Sequence, residues 1–179
     1  MRAFIAIPLP GNVKDYLYEL EKEISKLPAK FRLISKKNLH ITVKFIQEAS
    51  EEQIQEVKSR LKTIKFNSFK TALKEKGLFP NEKNARVIWV SIELENRVIE
   101  LQQRIDEKLI DLLPDNQEFK SHITIGRIKS IKNTKKFVEE LGKIKIKKIP
   151  FEINEFGLYK STLTKDGPIY GLIESYKMN

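Results

Sequence analysis

The chain has no cysteine, only two histidines and a single tryptophan in 179 residues. The missing cysteine excludes disulfides and thiolate zinc sites and fits a reducing compartment, so a cytoplasmic location is expected. Two imidazoles are too few for an ordinary metal site unless carboxylates complete it, and neither metal nor cofactor is expected. No stretch approaches the roughly 20 apolar residues of a membrane helix, so no membrane partner is expected either. Met1-Arg2-Ala3-Phe4-Ile5-Ala6-Ile7-Pro8 has the basic residue and apolar run of a signal peptide, but the run is short and stops at Pro8-Leu9-Pro10. It reads as a first β-strand.

Charge, by contrast, is plentiful: 34 Lys+Arg against 24 Asp+Glu give a net charge of +10. An anionic partner and a merely solvated lysine-rich surface explain this equally well, so charge alone does not choose a function. The length and the 40% hydrophobic content suit one domain over residues 1–179 with a sizeable core. Nothing in the sequence demands more than a monomer.

The two histidines lie in matching tetrapeptides, His40-Ile41-Thr42-Val43 and His122-Ile123-Thr124-Ile125. With seven threonines in the chain, a threonine two places after both histidines arises by chance about 0.15% of the time. On a β-strand, positions two apart share a face, so each strand offers an imidazole beside a hydroxyl while the isoleucine points the other way.

The flanking segments suggest a repeated plan. A strand at Ala3–Ile7 precedes a helix with Val13, Tyr16, Leu17, Leu20, Ile24 and Leu27 on one face. A short strand at Phe31–Ile34 and a Ser-Lys-Lys-Asn turn lead to the first motif strand, Leu39–Ile46. Ser50 with Gln53 then forms a capping-box signature for a second helix bearing Ile54, Val57, Leu61 and Ile64. In the second half, a strand at Phe66–Leu73, a loop at Gly77–Asn81 and a strand at Arg86–Ile92 precede a helix that stops at Pro114. A polar loop leads to the second motif strand, Phe119–Ile128, and a helix at Thr134–Leu141 follows. The Lys-Ile alternation at 143–149, Phe151–Tyr159 and Ile169–Tyr176 read as closing strands, with a turn at Asp166-Gly167-Pro168. The fold expected is α+β, with two pseudo-symmetric lobes, each an antiparallel sheet backed by helices, and a central cleft lined by both motif strands.

A pair of imidazoles in one cleft suits acid and base catalysis near neutral pH, since their ordinary pKa of ~6.5 allows one to be neutral and one protonated. Thr42 and Thr124, beside them, are placed to donate hydrogen bonds to phosphoryl oxygens, where charge builds in the transition state. Good strand propensity is the alternative reason for both threonines. Arg127, three residues beyond Thr124, has the wrong parity for the histidine face unless a bulge or bend at Gly126 re-aims it. Arg2, Phe4 and Tyr159 are further candidates for cleft lining, the aromatics to stack a base, with core packing the alternative for Phe4. Trp89 and Arg86 read as structural.

Beyond the two motifs, Arg2-Ala3-Phe4-Ile5-Ala6, Asn38–Phe45, Gly77-Leu78-Phe79-Pro80, Arg86–Val90, Phe119–Arg127, Leu158–Leu163 and Gly167-Pro168-Ile169-Tyr170 form an ordered set. In this set the chain resembles the two-histidine phosphoesterase superfamily. Within it the chain is similar to the RNA 2′,3′-cyclic phosphodiesterases, also called LigT-like or 2′-5′ RNA ligase-like proteins. It departs from the family pattern at Gln47, usually Gly, and at Ser121, usually Pro. The resemblance implies a hydrolase that opens RNA 2′,3′-cyclic phosphate ends, or small cyclic nucleotides, to 2′-phosphomonoesters without a metal. His40 would be the proton donor and His122 the proton acceptor, and Arg127 would contact phosphate or base. A 2′-5′ RNA ligase and a non-catalytic nucleotide- or RNA-binding module remain the alternatives.

Overall fold

A computed structural model describes residues 1–114 and 118–179. The polar loop expected before the second motif strand falls partly on residues 115–117, outside the described residues. In order, the elements are β1 (Ala3–Pro8), α1 (Gly11–Ile24), β2 (Ala29–Leu33), a 3-10 turn (Lys36–Asn38), β3 (His40–Ile46), α2 (Glu51–Leu61), β4 (Phe69–Phe79) and β5 (Val87–Ile92). They continue as α3 (Glu95–Leu109), β6 (Ile123–Ile131), α4 (Thr134–Lys143), β7 (Pro150–Ile153), β8 (Glu155–Thr164) and β9 (Gly167–Lys177).

The helices follow their apolar stripes. In α1 the stripe buries Val13, Leu17, Leu20 and Ile24, and in α3 it buries Val98, Leu101, Ile105 and Leu109. The capping box of α2 forms as the sequence suggests, with Gln53 N–H donating to Ser50 Oγ at 3.2 Å and Ser50 N–H donating to Gln53 Oε1 at 2.9 Å. Asn133 caps α4 through its side chain, accepting from Lys136 N–H at 2.9 Å.

Among the described residues the strands run β7-β4-β5-β6-β3-β1-β8-β9, and every pairing is antiparallel. Outward from the centre, this order is symmetric. The motif strands β3 and β6 meet in the middle, β1 and β5 flank them, and β8 and β4 come next. Thus β4, which follows α2, and β8, which comes after α4 and β7, each join the opposite lobe. The helices also pack across, α1 against β6 and α3 against β3. The α+β plan of two pseudo-symmetric lobes around a cleft is thus the observed one.

Ladder pairing between the motif strands is confined, among the described residues, to the bridge Ile41↔Ile123, after which β2 takes up the same edge of β6. The strands then diverge and open a cleft. Ile41 and Ile123 are fully buried in the continuous hydrophobic core, whereas His40, Thr42, His122 and Thr124 are half-buried on the other face. Burying each of those isoleucines stabilises the fold by about 1.5–3 kcal/mol, which holds the register that puts the histidines into the cleft.

Several boundaries differ from expectation. Gly77–Phe79 is not a loop but the end of β4, paired with Val87–Trp89. The glycine belongs to a strand because the Trp89 indole lies over it, where a Cβ would sit 2.1 Å from Cζ2. The run at 143–149 is not a strand. Helix α4 continues to Lys143, and Ile144, Ile146 and Ile149 pack against the core from a segment without regular ladder bonds. Alternating burial needs only an extended chain over an apolar surface. Strand β6 begins at Ile123 and runs to Ile131, leaving His122 immediately before it, and Phe151–Tyr159 divides at Asn154 into β7 and β8.

Candidate active site

Both histidines are held by the same local device. His40 Nδ1 lies 2.6 Å from the carbonyl of Asn38, and His122 Nδ1 lies 2.7 Å from the carbonyl of Lys120. A carbonyl only accepts, so each Nδ1 carries the proton and Nε2 is left as the reactive nitrogen of each ring. The rings differ at that nitrogen. His40 Nε2 is 2.7 Å from Thr42 Oγ1, while no such bond joins His122 to Thr124 among the described residues. Extending the Ile41↔Ile123 register places His40 across from Thr124 and Thr42 across from His122.

Electrostatics push both imidazoles the same way. Burial lowers the pKa of His40 below its ordinary 6.5, the Asn38 hydrogen bond opposes this, and the charges of Lys14 and His122 add to the lowering. Burial likewise lowers His122, opposed by the Lys120 hydrogen bond and reinforced by Arg127. The two imidazoles therefore feel one another, and in the free protein both lean toward the neutral form near pH 7.

Aromatic rings frame the pair. Phe4 lies 5.1 Å from the His40 ring, and Tyr170 meets both edge-on, at 5.5 Å from His40 and 4.7 Å from Phe4. On the other side Phe79 meets His122 edge-on at 4.9 Å and stacks on Trp89 at 5.0 Å. Trp89, read as structural, thus supports the ring that contacts His122.

A cavity of about 1060 Å³ gathers most of the expected residues: His40, His122, Thr42, Thr124, Arg127, Arg2 and Phe4 all line it. Tyr159 does not. It stacks on Phe4 at 5.4 Å, behind the lining. Arg127 reaches the cavity because β6 carries a bulge: Trp89 pairs with Thr124 but Ile88 pairs with Gly126, so Ile125 is an extra residue and both it and Gly126 are buried. One extra residue restores the parity of position 127 to that of the histidine. A matching irregularity in β3, where Ala6 pairs with Thr42 and Ile5 with Lys44, turns Phe45 out in the equivalent place.

The family profile described as LigT like Phosphoesterase matches residues 7–89 and again residues 90–170, one copy per half. The chain belongs to this LigT-like phosphoesterase family. It is therefore a two-histidine phosphoesterase, a hydrolase of phosphodiester bonds, and its duplicated halves account for the symmetric strand order. Among its relatives, the RNA 2′,3′-cyclic phosphodiesterase of Methanocaldococcus jannaschii is 39% identical, covering 98% of this chain and all of that protein. The protein of the same name from Thermotoga maritima is 31% identical over 97% of this chain and 93% of its own. Among solved folds, TT0787 of Thermus thermophilus superposes with a TM-score of 0.84 at 24% identity, covering 99% of this chain and 97% of that one. The LigT of E. coli complexed with 3′-AMP superposes with a TM-score of 0.79 at 21% identity over the same shares.

Sequence reasoning missed Arg32, Phe45, Phe79 and Tyr170 as cavity residues. Phe45 and Tyr170 stood inside the family segments, but their direction depends on a bulge and on a long hairpin. Arg32 left no signal beyond its place two residues after Lys30 on the exposed side of a short alternating strand. Among the described residues no cluster of three or more His, Asp or Glu side chains is placed to hold a metal ion, and no helix is long and apolar enough to cross a membrane.

Proposed function

We propose that this LigT-like protein is an RNA 2′,3′-cyclic phosphodiesterase, acting as one two-lobed domain on RNA ends or small cyclic nucleotides, with a cytoplasmic location. The observation that supports it most is the pair of imidazoles, each fixed through Nδ1 by the carbonyl two residues before it, lining one cavity beside two threonine hydroxyls. The names of the relatives and the 3′-AMP bound by E. coli LigT support the substrate class.

In this mechanism water attacks the phosphorus of the cyclic diester and His122 Nε2 takes its proton. The bond from phosphorus to O3′ breaks, and His40 Nε2–H gives a proton to the departing oxygen. The product is a 2′-phosphate beside a free 3′-hydroxyl. His122 enters with its Nε2 unprotonated and unbonded among the described residues, as a base must. His40 enters as the imidazolium, which the anionic substrate stabilises. Thr42 and Thr124 donate hydrogen bonds to the nonbridging oxygens as their charge grows. The chemistry uses imidazoles alone and routes no step through a metal. Run backward, the same pair exchanges roles, which is how a 2′-5′ ligase activity would use it.

Replacing either histidine with alanine should reduce hydrolysis by at least ~10²–10⁴-fold and leave RNA affinity, measured by fluorescence anisotropy, nearly unchanged. Activity that survives in both variants sinks the two-histidine scheme.

A further inference from the structure

Arg32 on β2 and Arg127 on β6 are direct cross-strand partners. Both are exposed and both line the cavity. Like charges set directly opposite on a sheet destabilise it, and among the described residues neither guanidinium has a carboxylate partner, although many of the chain's other cations do. Arg32 also packs over the β8–β9 turn: its Nη2 lies 2.8 Å from where a Cβ on Gly167 would stand. Gly167 has φ +124, a conformation that suits glycine, and the absent side chain leaves room for the arginine. That turn is tied to the site by Asn38 Nδ2, which donates to the Pro168 carbonyl at 2.9 Å.

Tyr170 completes the group. Burial raises its phenol, while the charges of Arg127 and Arg32 act in the opposite sense, so both guanidiniums lie within electrostatic range of its hydroxyl. Its ring meanwhile touches His40. The paired arginines therefore adjoin the catalytic histidines without duplicating them. A cavity of about 1060 Å³ lies just above the range for a small-molecule site, ~300–1,000 Å³. It has room for more than a terminal nucleotide.

Building on the cyclic phosphodiesterase reading, we infer that Arg32 and Arg127, with the Tyr170 hydroxyl, form a second anion subsite that holds the phosphodiester on the 5′ side of the terminal nucleotide. The preferred substrate is then an oligonucleotide end. A nucleoside 2′,3′-cyclic phosphate has no second phosphate and leaves this subsite empty. Beyond the rim, Lys30 and Lys129 continue the exposed basic surface along the same two strands.

The test compares wild type and Arg32→Gln on two substrates, a ribo-trinucleotide ending in 2′,3′-cyclic phosphate and the matching nucleoside 2′,3′-cyclic phosphate. Arg32→Gln should shrink the ratio of their kcat/KM values by ~10-fold or more, chiefly through the KM of the trinucleotide, as expected for a lost charged hydrogen bond. A neutral methylphosphonate in the terminal linkage should reproduce that loss in wild type and add nothing in Arg32→Gln. An unchanged ratio, or a methylphosphonate loss that persists in full in the variant, overturns the subsite. If wild type opens neither substrate, the phosphodiesterase reading fails by itself. Equilibrium binding of the same trinucleotide and its methylphosphonate then decides the subsite by the same pattern.

Discussion

The imidazole of His40 is asked to do something its surroundings resist. Burial and the nearby positive charges lower its pKa below 6.5, and His122 is lowered as well, yet the proposed reaction needs one proton beyond those of the two neutral rings, carried by His40. With both free-enzyme pKa values below 6.5, the singly protonated form is most populated below pH 6.5 and declines about tenfold per unit at higher pH. The log of kcat/KM should therefore fall toward a slope of −1 between pH 7 and 9, while kcat, which reports the complex with an anionic substrate, should hold to higher pH. A kcat/KM that climbs through pH 8 contradicts this protonation scheme. At this scale the sequence was informative wherever chemistry is a matter of residue type and parity. His40, Thr42, His122 and Thr124 face the cavity as their two-residue spacing requires. Arg127 was legible only as a condition on Gly126, because a bulge is a property of two strands pairing out of step, and one strand's sequence does not contain it.

Elements position these groups, and two of them carry tensions that can be measured. Strand β4 approaches β5 so closely at Gly77 that Trp89 covers it, and Trp89 in turn backs Phe79 against His122. Gly77→Ala should push the indole aside, destabilise the fold by about 1–3 kcal/mol and lower kcat through His122. Gly142→Ala, in α4 with open space around it, should instead raise the thermal midpoint slightly. Equal effects of the two substitutions would mean that the Trp89 contact does not matter. Helix α1 buries Glu21, whose Oε1 has no partner among the described residues and whose pKa burial pushes up to about 8. A folded pKa above the unfolded 4.5 stabilises the protein fully below pH 4.5, and this contribution is lost as pH rises through about 8. Glu21→Gln should flatten that decline, so that its advantage over wild type in urea unfolding grows from pH 5 to pH 9; a constant difference would rule the linkage out. Helices were easy to read because their stripes and caps are local. The 143–149 run and the Gly77–Phe79 strand were not, since alternation, glycine and proline report burial and backbone freedom, while a ladder needs a partner edge that only the tertiary fold supplies.

The whole molecule is a duplicated half folded so that equivalent strands meet at Ile41 and Ile123 and equivalent histidines share one cleft. This symmetry was visible in the repeated motif and in the order of elements. The exchange of β4 and β8 between lobes was not, because strand order is set by which edges remain free after the motif strands pair. The net charge of +10 acquires a direction from the fold, since Arg2, Arg32 and Arg127 all line the cavity. In the proposed mechanism two imidazoles alone open a 2′,3′-cyclic phosphate with loss of the 3′ oxygen. Its most direct test is to incubate EDTA-treated protein with an oligoribonucleotide ending in 2′,3′-cyclic phosphate and identify the product by its ribose position. A 2′-phosphate formed at an undiminished rate is the expected result; a 3′-phosphate, or turnover that returns only when a divalent metal is added back, would contradict it.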